Sequence, residues 1–325
     1  MATWLVRRLL QACLVVLAMT VIVFAGVHII GNPVDILINP QADQAEIARV
    51  TASLGLDKPV WVQYWHFLTA AFSGDLGKSF ASNVPALQLI LQRMPATVEL
   101  ALVAMVIAIV IGLPLGLWAG LKPDSFAAKS IMAGSILGFS LPTFWVGLML
   151  IMIFSVWLGV LPSTGRGATV EVLGLHLSFL TWDGLKHLLM PATNLALFKL
   201  SLLVRLTRAG TREAMVQDYV RFARAKGVPE NRVVSVHVLK NILIPIVTVV
   251  GLEFGSLIAF SIITETVFAW PGMGKLLIDS INVLDRPVIV AYLMIIVFLF
   301  IFINLLVDIL YTALDPRVRV AGVRA

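Results

Sequence analysis

The sequence predicts an all-α polytopic membrane protein with six transmembrane helices and with N- and C-termini on the cytoplasmic side. Three observations predict it. Of the 325 residues, 59% are hydrophobic and 13% are charged, about half the charged share of a soluble domain. Several apolar runs reach the roughly 20 residues that cross a bilayer as a helix. Lys and Arg gather on one side of these runs once they are laid out in order.

The first expected span covers residues 9–30, LLQACLVVLAMTVIVFAGVHII, behind Trp4, Arg7 and Arg8. It is longer than a signal-peptide core and has no convincing cleavage pattern before GNPVD, so residues 1–31 are expected to form an uncleaved anchor. Residues 32–94 carry Asp35, Asp43, Glu46, Asp57 and Asp75 among aromatic residues. They read as an external loop with short helices near 44–54 and 59–72, the second aromatic enough to lie partly on the membrane.

A permeability core is expected over 95–315. Its spans fall near 98–120, 130–158, 188–206, 242–264 and 288–311. Pro114 and Pro142 lie inside the first two of these, where neighbouring helices can tolerate them. The span at 188–206 contains Lys199, that at 242–264 contains Glu253, and Asp308 lies near the end of the last. Residues 207–241 form a basic internal loop and 316–325 an internal tail. With both ends inside, 15 of the 24 Lys and Arg residues face the interior, as the positive-inside rule requires. That bias accounts for most of the net charge of +6, and no nucleic-acid partner is needed to explain it.

The internal loop contains DYVRFARAKGVPENRVVSVHVLKNILIPI, residues 218–246. Residues 212–227 read as one short amphipathic helix. Met215, Tyr219 and Phe222 share a stripe that Val216, Val220 and Ala223 widen, while Asp218, Arg221 and Arg224 cover the opposite side. Gly227 suits a C-cap and Pro229 a stop. A second helix is expected from Pro229 and Glu230 into the next span. Such a loop can bind anionic lipid headgroups, or it can seat its apolar stripe in the groove of a cytoplasmic partner.

The motifs of several enzyme classes are missing. There is no GxxxxGK[ST] phosphate loop, no HExxH and no GxSxG. GKSF at 77–80 lacks the upstream glycine of a phosphate loop. His28, His66, His176, His187 and His237 have no metal-ligand spacing, and the single cysteine, Cys13, permits neither an internal disulfide nor a cysteine-based metal site. No catalytic or metal-binding residue is expected.

Five stretches together resemble a known family. They are YVRFARAKG (219–227), RMPATVEL (93–100), LPSTG (161–165), TETVFAWPGMGKLLIDSINVLDRPVI (264–289) and NLLVDILYTALDPRVR (304–319). By these the chain resembles the permease subunits of dipeptide and oligopeptide ABC importers over nearly its whole length. The family's EAA–three residues–Gly pattern falls on Arg221, Phe222, Ala223 and Gly227. The second alanine and the glycine are kept, in the variant common in the peptide branch.

The resemblance implies the type I permease fold of ABC importers and a place in a bacterial inner membrane. The implied partners are a second homologous permease subunit, two cytoplasmic ATPases that hold ATP and Mg, a periplasmic or lipid-anchored binding protein, and membrane lipids. The chain would translocate a small solute, with di- or oligopeptides expected, and would perform no chemistry. Tyr219, Arg221, Phe222, Ala223, Arg224 and Gly227 are the implied coupling residues, with Arg221 and Arg224 either pairing with partner acids or facing solvent. Lys199 and Glu253 are candidates for the translocation pathway. An internal ion pair, or snorkelling of Lys199, is the structural alternative. Trp270, Pro271, Gly272 and Gly274 are expected to form a turn at an outer gate or binding-protein contact, with Trp270 at headgroup level. An ion-coupled carrier or channel, with Glu253 or Asp308 carrying the ion, is the alternative function.

Overall fold

The computed structural model describes residues 2–29, 43–53 and 56–314. The expected tail at 316–325, with Asp315 and Arg317, and loop residues 30–42 lie outside the described residues. Among the described residues four helices are long and apolar enough to cross a membrane: Ala86–Leu121, Trp182–Met215, Glu230–Phe260 and Arg286–Ile309. A bent pair, Phe126–Ser140 with Thr143–Trp157, makes a fifth if it is counted as one span. The first helix carries the shorter apolar stretch Leu10–Gly26. The protein is thus a polytopic α-helical membrane protein.

The chain divides into two units, residues 1–95 with 272–301 and residues 96–271 with 302–325. In the first, helices α1 (Ala2–Ile29), α2 (Gln44–Ser53) and α3 (Val60–Phe72) precede the start of α4 (Ala86–Leu121). Helix α3 packs on α1: the Phe24 and Tyr64 rings meet edge-on at 5.3 Å, and Thr20 Oγ1 lies 2.9 Å from the Tyr64 hydroxyl. Helix α12 (Met273–Asn282) leads into α13 (Arg286–Leu314). Asp285 between them accepts bonds from Ser79 Oγ at 2.5 Å and the Phe80 amide at 3.0 Å. The GKSF stretch therefore wraps one of the chain's own carboxylates.

In the second unit α4 runs on unbroken through Pro114. Gly112, Gly116 and Gly120 bring it against Leu203, Thr207 and Thr211 of α7 (Trp182–Met215). A Cβ on Gly116 would lie 2.6 Å from Thr207 Cβ and 2.7 Å from the Val204 carbonyl oxygen. Only a bare backbone allows this approach, which is how small residues at four-residue spacing join membrane helices.

Where the sequence reading puts one span over 130–158, α5 (Phe126–Ser140) and α6 (Thr143–Leu150, continued as a π-helical turn Ile151–Trp157) are bent by 106°. Pro142 forces the residue before it out of the helical region, and Leu141 is extended at φ −80°, ψ 135°. A β-hairpin also departs from the all-α expectation. Strands β1 (Val170–Val172) and β2 (Leu175–Leu177) pair antiparallel across Leu173 and Gly174, both at positive φ, as a two-residue type I′ turn requires.

The expected single helix over 212–227 is two pieces. Helix α7 runs to Met215, Gln217 is extended, and α8 starts at Asp218 and ends at Ala225. After the short α9 (Glu230–Arg232) and the π-helical stretch Val233–Val238, α10 (Leu239–Phe260) and then α11 (Ile262–Val267) follow.

Candidate functional site

Helix α8 is a two-turn element held at both ends. At its C-terminus the Val228 amide bonds to the Ala223 carbonyl at 3.2 Å and the Gly227 amide to the Arg224 carbonyl at 2.9 Å. This is a Schellman cap, with Gly227 at φ +76° as its left-handed residue. Gly227 does what its place in the sequence predicts.

The helix presents two faces. Val220 and Ala223 are buried, and α8 packs on the Val233–Val238 stretch. Ala223, one of the implied coupling residues, thus packs within its own chain. Phe222 stays 61% exposed, with Lys226 Nζ 4.4 Å above its ring, and Tyr219 is partly exposed beside it. Arg221 reaches Asp218 at 3.7 Å in solvent. Arg224 grips Glu230 with two bonds, Nε to Oε2 at 3.1 Å and Nη2 to Oε1 at 2.5 Å. The pair crosses the Gly227–Pro229 turn. Its hydrogen bond raises the Arg224 pKa and lowers that of Glu230 below the usual carboxylate range. Of the two arginines considered for partner acids, Arg224 is thus already engaged within the chain.

Lys199 and Glu253, read separately from the sequence, meet. Lys199 Nζ bonds to Glu253 Oε2 and, at 2.6 Å, to Ser256 Oγ. Lys199 is buried, while the Glu253 side chain keeps 30% of its surface exposed. Charge is balanced inside two apolar helices, as a low-dielectric setting demands.

Trp270, in the second unit, is fully buried and donates Nε1–H to the Ala96 carbonyl at 2.9 Å. Trp270 therefore packs inside the protein rather than on its surface. The turn between α11 and α12 covers residues 268–272 and so takes in Trp270, Pro271 and Gly272, with Gly274 inside α12. Ala269, at φ +47°, is the left-handed residue after α11, with the Trp270 amide bonding back to the Glu265 carbonyl at 2.8 Å. In the first unit Gly272 is extended at the start of α12 and Gly274 is buried within it, while Pro271 is partly buried.

Glu99 lies in α4, in the second unit. Its buried carboxylate accepts from the Ser178 amide at 2.6 Å, Ser178 Oγ at 2.8 Å, the Phe179 amide at 2.9 Å and Arg166 Nε at 3.1 Å. Arg166 also donates to the His176 carbonyl at 2.5 Å and stands over the Trp270 ring at 5.6 Å. Glu265, wholly buried nearby in sequence to Trp270, accepts from Thr97 at 2.7 Å and Ser261 at 2.9 Å.

The comparisons with known proteins agree over the full length. The family described as binding-protein-dependent transport system inner membrane component matches residues 112–320, and its N-terminal membrane component matches residues 1–101. The dipeptide transport system permease protein DppB of Escherichia coli (strain K12) is 37% identical over 336 residues, covering 98% of this chain and 99% of the relative. The glutathione transport system permease protein GsiC of Salmonella typhimurium is 38% identical over 320 residues, with 98% and 99% covered. A putative peptide transport system permease protein of Brucella abortus is 39% identical over 320 residues, again with 98% and 99% covered. Among solved structures, an inward-facing methionine ABC transporter, MetNI, shares the fold at a TM-score of 0.54 and 17% identity, over 70% of this chain and 97% of that one. A membrane core held by glycine contacts, and a capped two-turn helix between two of its spans, thus sit in a chain matched from end to end: it belongs to the family of binding-protein-dependent transport system inner membrane components, as a multi-pass permease subunit of an ABC-type importer in the inner membrane.

Proposed function

We propose that this permease imports di- or oligopeptides, working with a second homologous permease, two cytoplasmic ATPases and a solute-binding protein. Helix α8 is the element that takes up ATP-driven motion. The carrying observation is Phe222: a large apolar side chain, 61% exposed, on a short capped helix whose other face is packed into its own chain. A helix built this way fits a groove on a partner, and its tight attachment passes the partner's motion to α7 and α10. ATP hydrolysis then belongs to the ATPase subunits, and this chain contributes no catalytic residue.

In this reading six spans cross the membrane, α1 being the first, with both termini in the cytoplasm and α8 on the cytoplasmic side. The domain limits set out from the sequence follow from that arrangement. Lys199 and Glu253 form a neutralised pair near the pathway, and Trp270 and Pro271 stabilise the opposite end. The peptide assignment draws on relatives named for dipeptide and peptide transport; a relative named for glutathione transport keeps a peptide-like backbone in the same class of solute. The test is uptake by the reconstituted complex of radiolabelled dipeptide, tetrapeptide and free amino acid. Uptake of a peptide, dependent on ATP and the binding protein, supports the reading. Uptake of none of the peptides, with another solute carried by the same assembly, overturns it.

A further inference from the structure

Helix α3 has the sequence VWVQYWHFLTAAF, thirteen residues without Asp, Glu, Lys or Arg. Both of its long faces are apolar. One packs on α1 through Tyr64 and Phe67, which meet the Phe24 ring at 5.3 and 5.9 Å. The other carries Trp61, Trp65 and Phe72 at helical spacing, and these are 73%, 62% and 81% exposed. Gln63, His66 and Thr69 make one polar stripe between these faces. An uncharged helix with so wide an apolar surface belongs in a core or at a membrane, yet no side chain of α3 is fully buried within the described residues.

Two hydroxyls at its C-terminal end are satisfied by its own backbone. Thr69 Oγ1 donates to the Trp65 and His66 carbonyls, both at 3.0 Å, and Ser73 Oγ to the Ala70 carbonyl at 2.8 Å. Hydroxyls that fold back on their own helix need no water.

The packing also fixes a depth. Phe67 and Leu76 lie against a cluster of Val23, Val290 and Met294. Val290 and Met294 are four and eight residues into α13, which starts at Arg286 beside Asp285. At 1.5 Å per residue they sit about 6 and 12 Å below that charged end. With that end of α13 taken at the headgroups, α3 lies where headgroups give way to acyl chains, the zone in which Trp is enriched. Beside it, α1 and α3 enclose a groove of about 610 Å³ lined by Val21, Phe24, Ala25, Val60, Trp61 and Tyr64. The Tyr64 hydroxyl in that lining pairs with Thr20 Oγ1 at 2.9 Å.

We propose that α3 is an interfacial helix embedded in the bilayer, with Trp61, Trp65 and Phe72 toward lipid, and that its groove with α1 holds a phospholipid acyl chain. No charged side chain lines the groove, so it recognises hydrocarbon and leaves the headgroup unread. The assignment requires only that α1 and α13 lie in a membrane, and it is independent of which solute the importer carries.

Two experiments on the assembled complex, in nanodiscs of phosphatidylethanolamine and phosphatidylglycerol, test it. On a Cys13→Ser background, nitroxide labels are placed by Trp61→Cys or Trp65→Cys, with Leu173→Cys as the water-exposed reference. The expected result is strong relaxation by oxygen with loss of relaxation by a nickel chelate relative to the reference. Access for the nickel chelate equal to the reference, or exclusion of both reagents by a covering protein, overturns the assignment. Separately, Ala25→p-benzoylphenylalanine is irradiated in the same nanodiscs. Capture of a phospholipid, read by mass, is expected. Capture of a peptide from a second permease subunit, or of nothing, overturns the groove's occupant. Peptide uptake by the labelled complexes is measured alongside, so a failed solute assignment stays distinct from a failed lipid site.

Discussion

The α8 elbow and the Glu99 corner, both in the second unit, are polar regions stabilised in opposite ways. At the corner a buried carboxylate is saturated by two backbone amides, a serine hydroxyl and Arg166, and the adjoining Trp270 is sealed from solvent. At the elbow the ion pairs are exposed and the largest apolar side chain, Phe222, is left outside. A saturated buried network holds a shape and has nothing left to offer a partner. An exposed helix with rigid ends gives up little stability of its own and keeps a surface free for binding. On the proposed function, the difference separates residues that maintain the fold from residues that work against other subunits.

The largest expected effect breaks the corner. Glu99→Ala leaves the partly buried Arg166 without its carboxylate and strips acceptors from two buried or part-buried amides, at a cost of about 3 kcal/mol. Its melting temperature in detergent is expected to fall sharply, with early proteolysis of the hairpin at 170–177. A melting temperature equal to that of the parent would remove the corner's structural role.

A smaller effect of opposite sign is expected at Ala269. A non-glycine residue at φ +47° carries a strain of about 1–2 kcal/mol, which Ala269→Gly relieves in part. The variant should melt at or above the parent temperature, and a clear decrease would contradict the strained-turn reading.

The smallest effect lies at the elbow. The Glu230 pKa is lowered by its hydrogen bond to Arg224, so the pair's contribution is fully present above the unfolded-state value. It is lost as pH falls through the lower folded-state value. Because the pair is exposed, that contribution is about 0.2–1 kcal/mol. Glu230→Gln should melt close to the parent at neutral pH, and the small gap should close on acidification. A gap that widens in acid would reverse the sign.

Much of this fold was legible in the sequence, for physical reasons. Apolar runs give spans because an unpaired backbone cannot sit in lipid. Gly227 and Pro229 mark a helix end because only glycine takes a left-handed cap cheaply. What was missed depends on contacts remote in sequence. Glu99 finds its partners 67 to 80 residues away, and no local pattern joins them. Lys199 and Glu253 are 54 residues apart, so the internal ion pair considered for them had no local pattern to name its two members. The 106° bend was signalled by Pro142, but the apolar run on either side reads as one span. The hairpin hides because Leu173 occupies a left-handed turn position that Asn or Asp usually fills. The glycine ladder at 112, 116 and 120 was plain in the sequence, and its four-residue spacing was the available signal for α4 packing on α7.

The most direct test of the account is Phe222→Asp in the reconstituted complex. Phe222 is exposed and its ring meets the exposed Lys226 side chain, so the melting temperature of the isolated permease should stay nearly unchanged. Binding of the ATPase subunits and ATP-driven uptake should both be lost. Normal ATPase binding and uptake by the Asp variant would contradict the claim that α8 is where ATP-driven motion enters this protein.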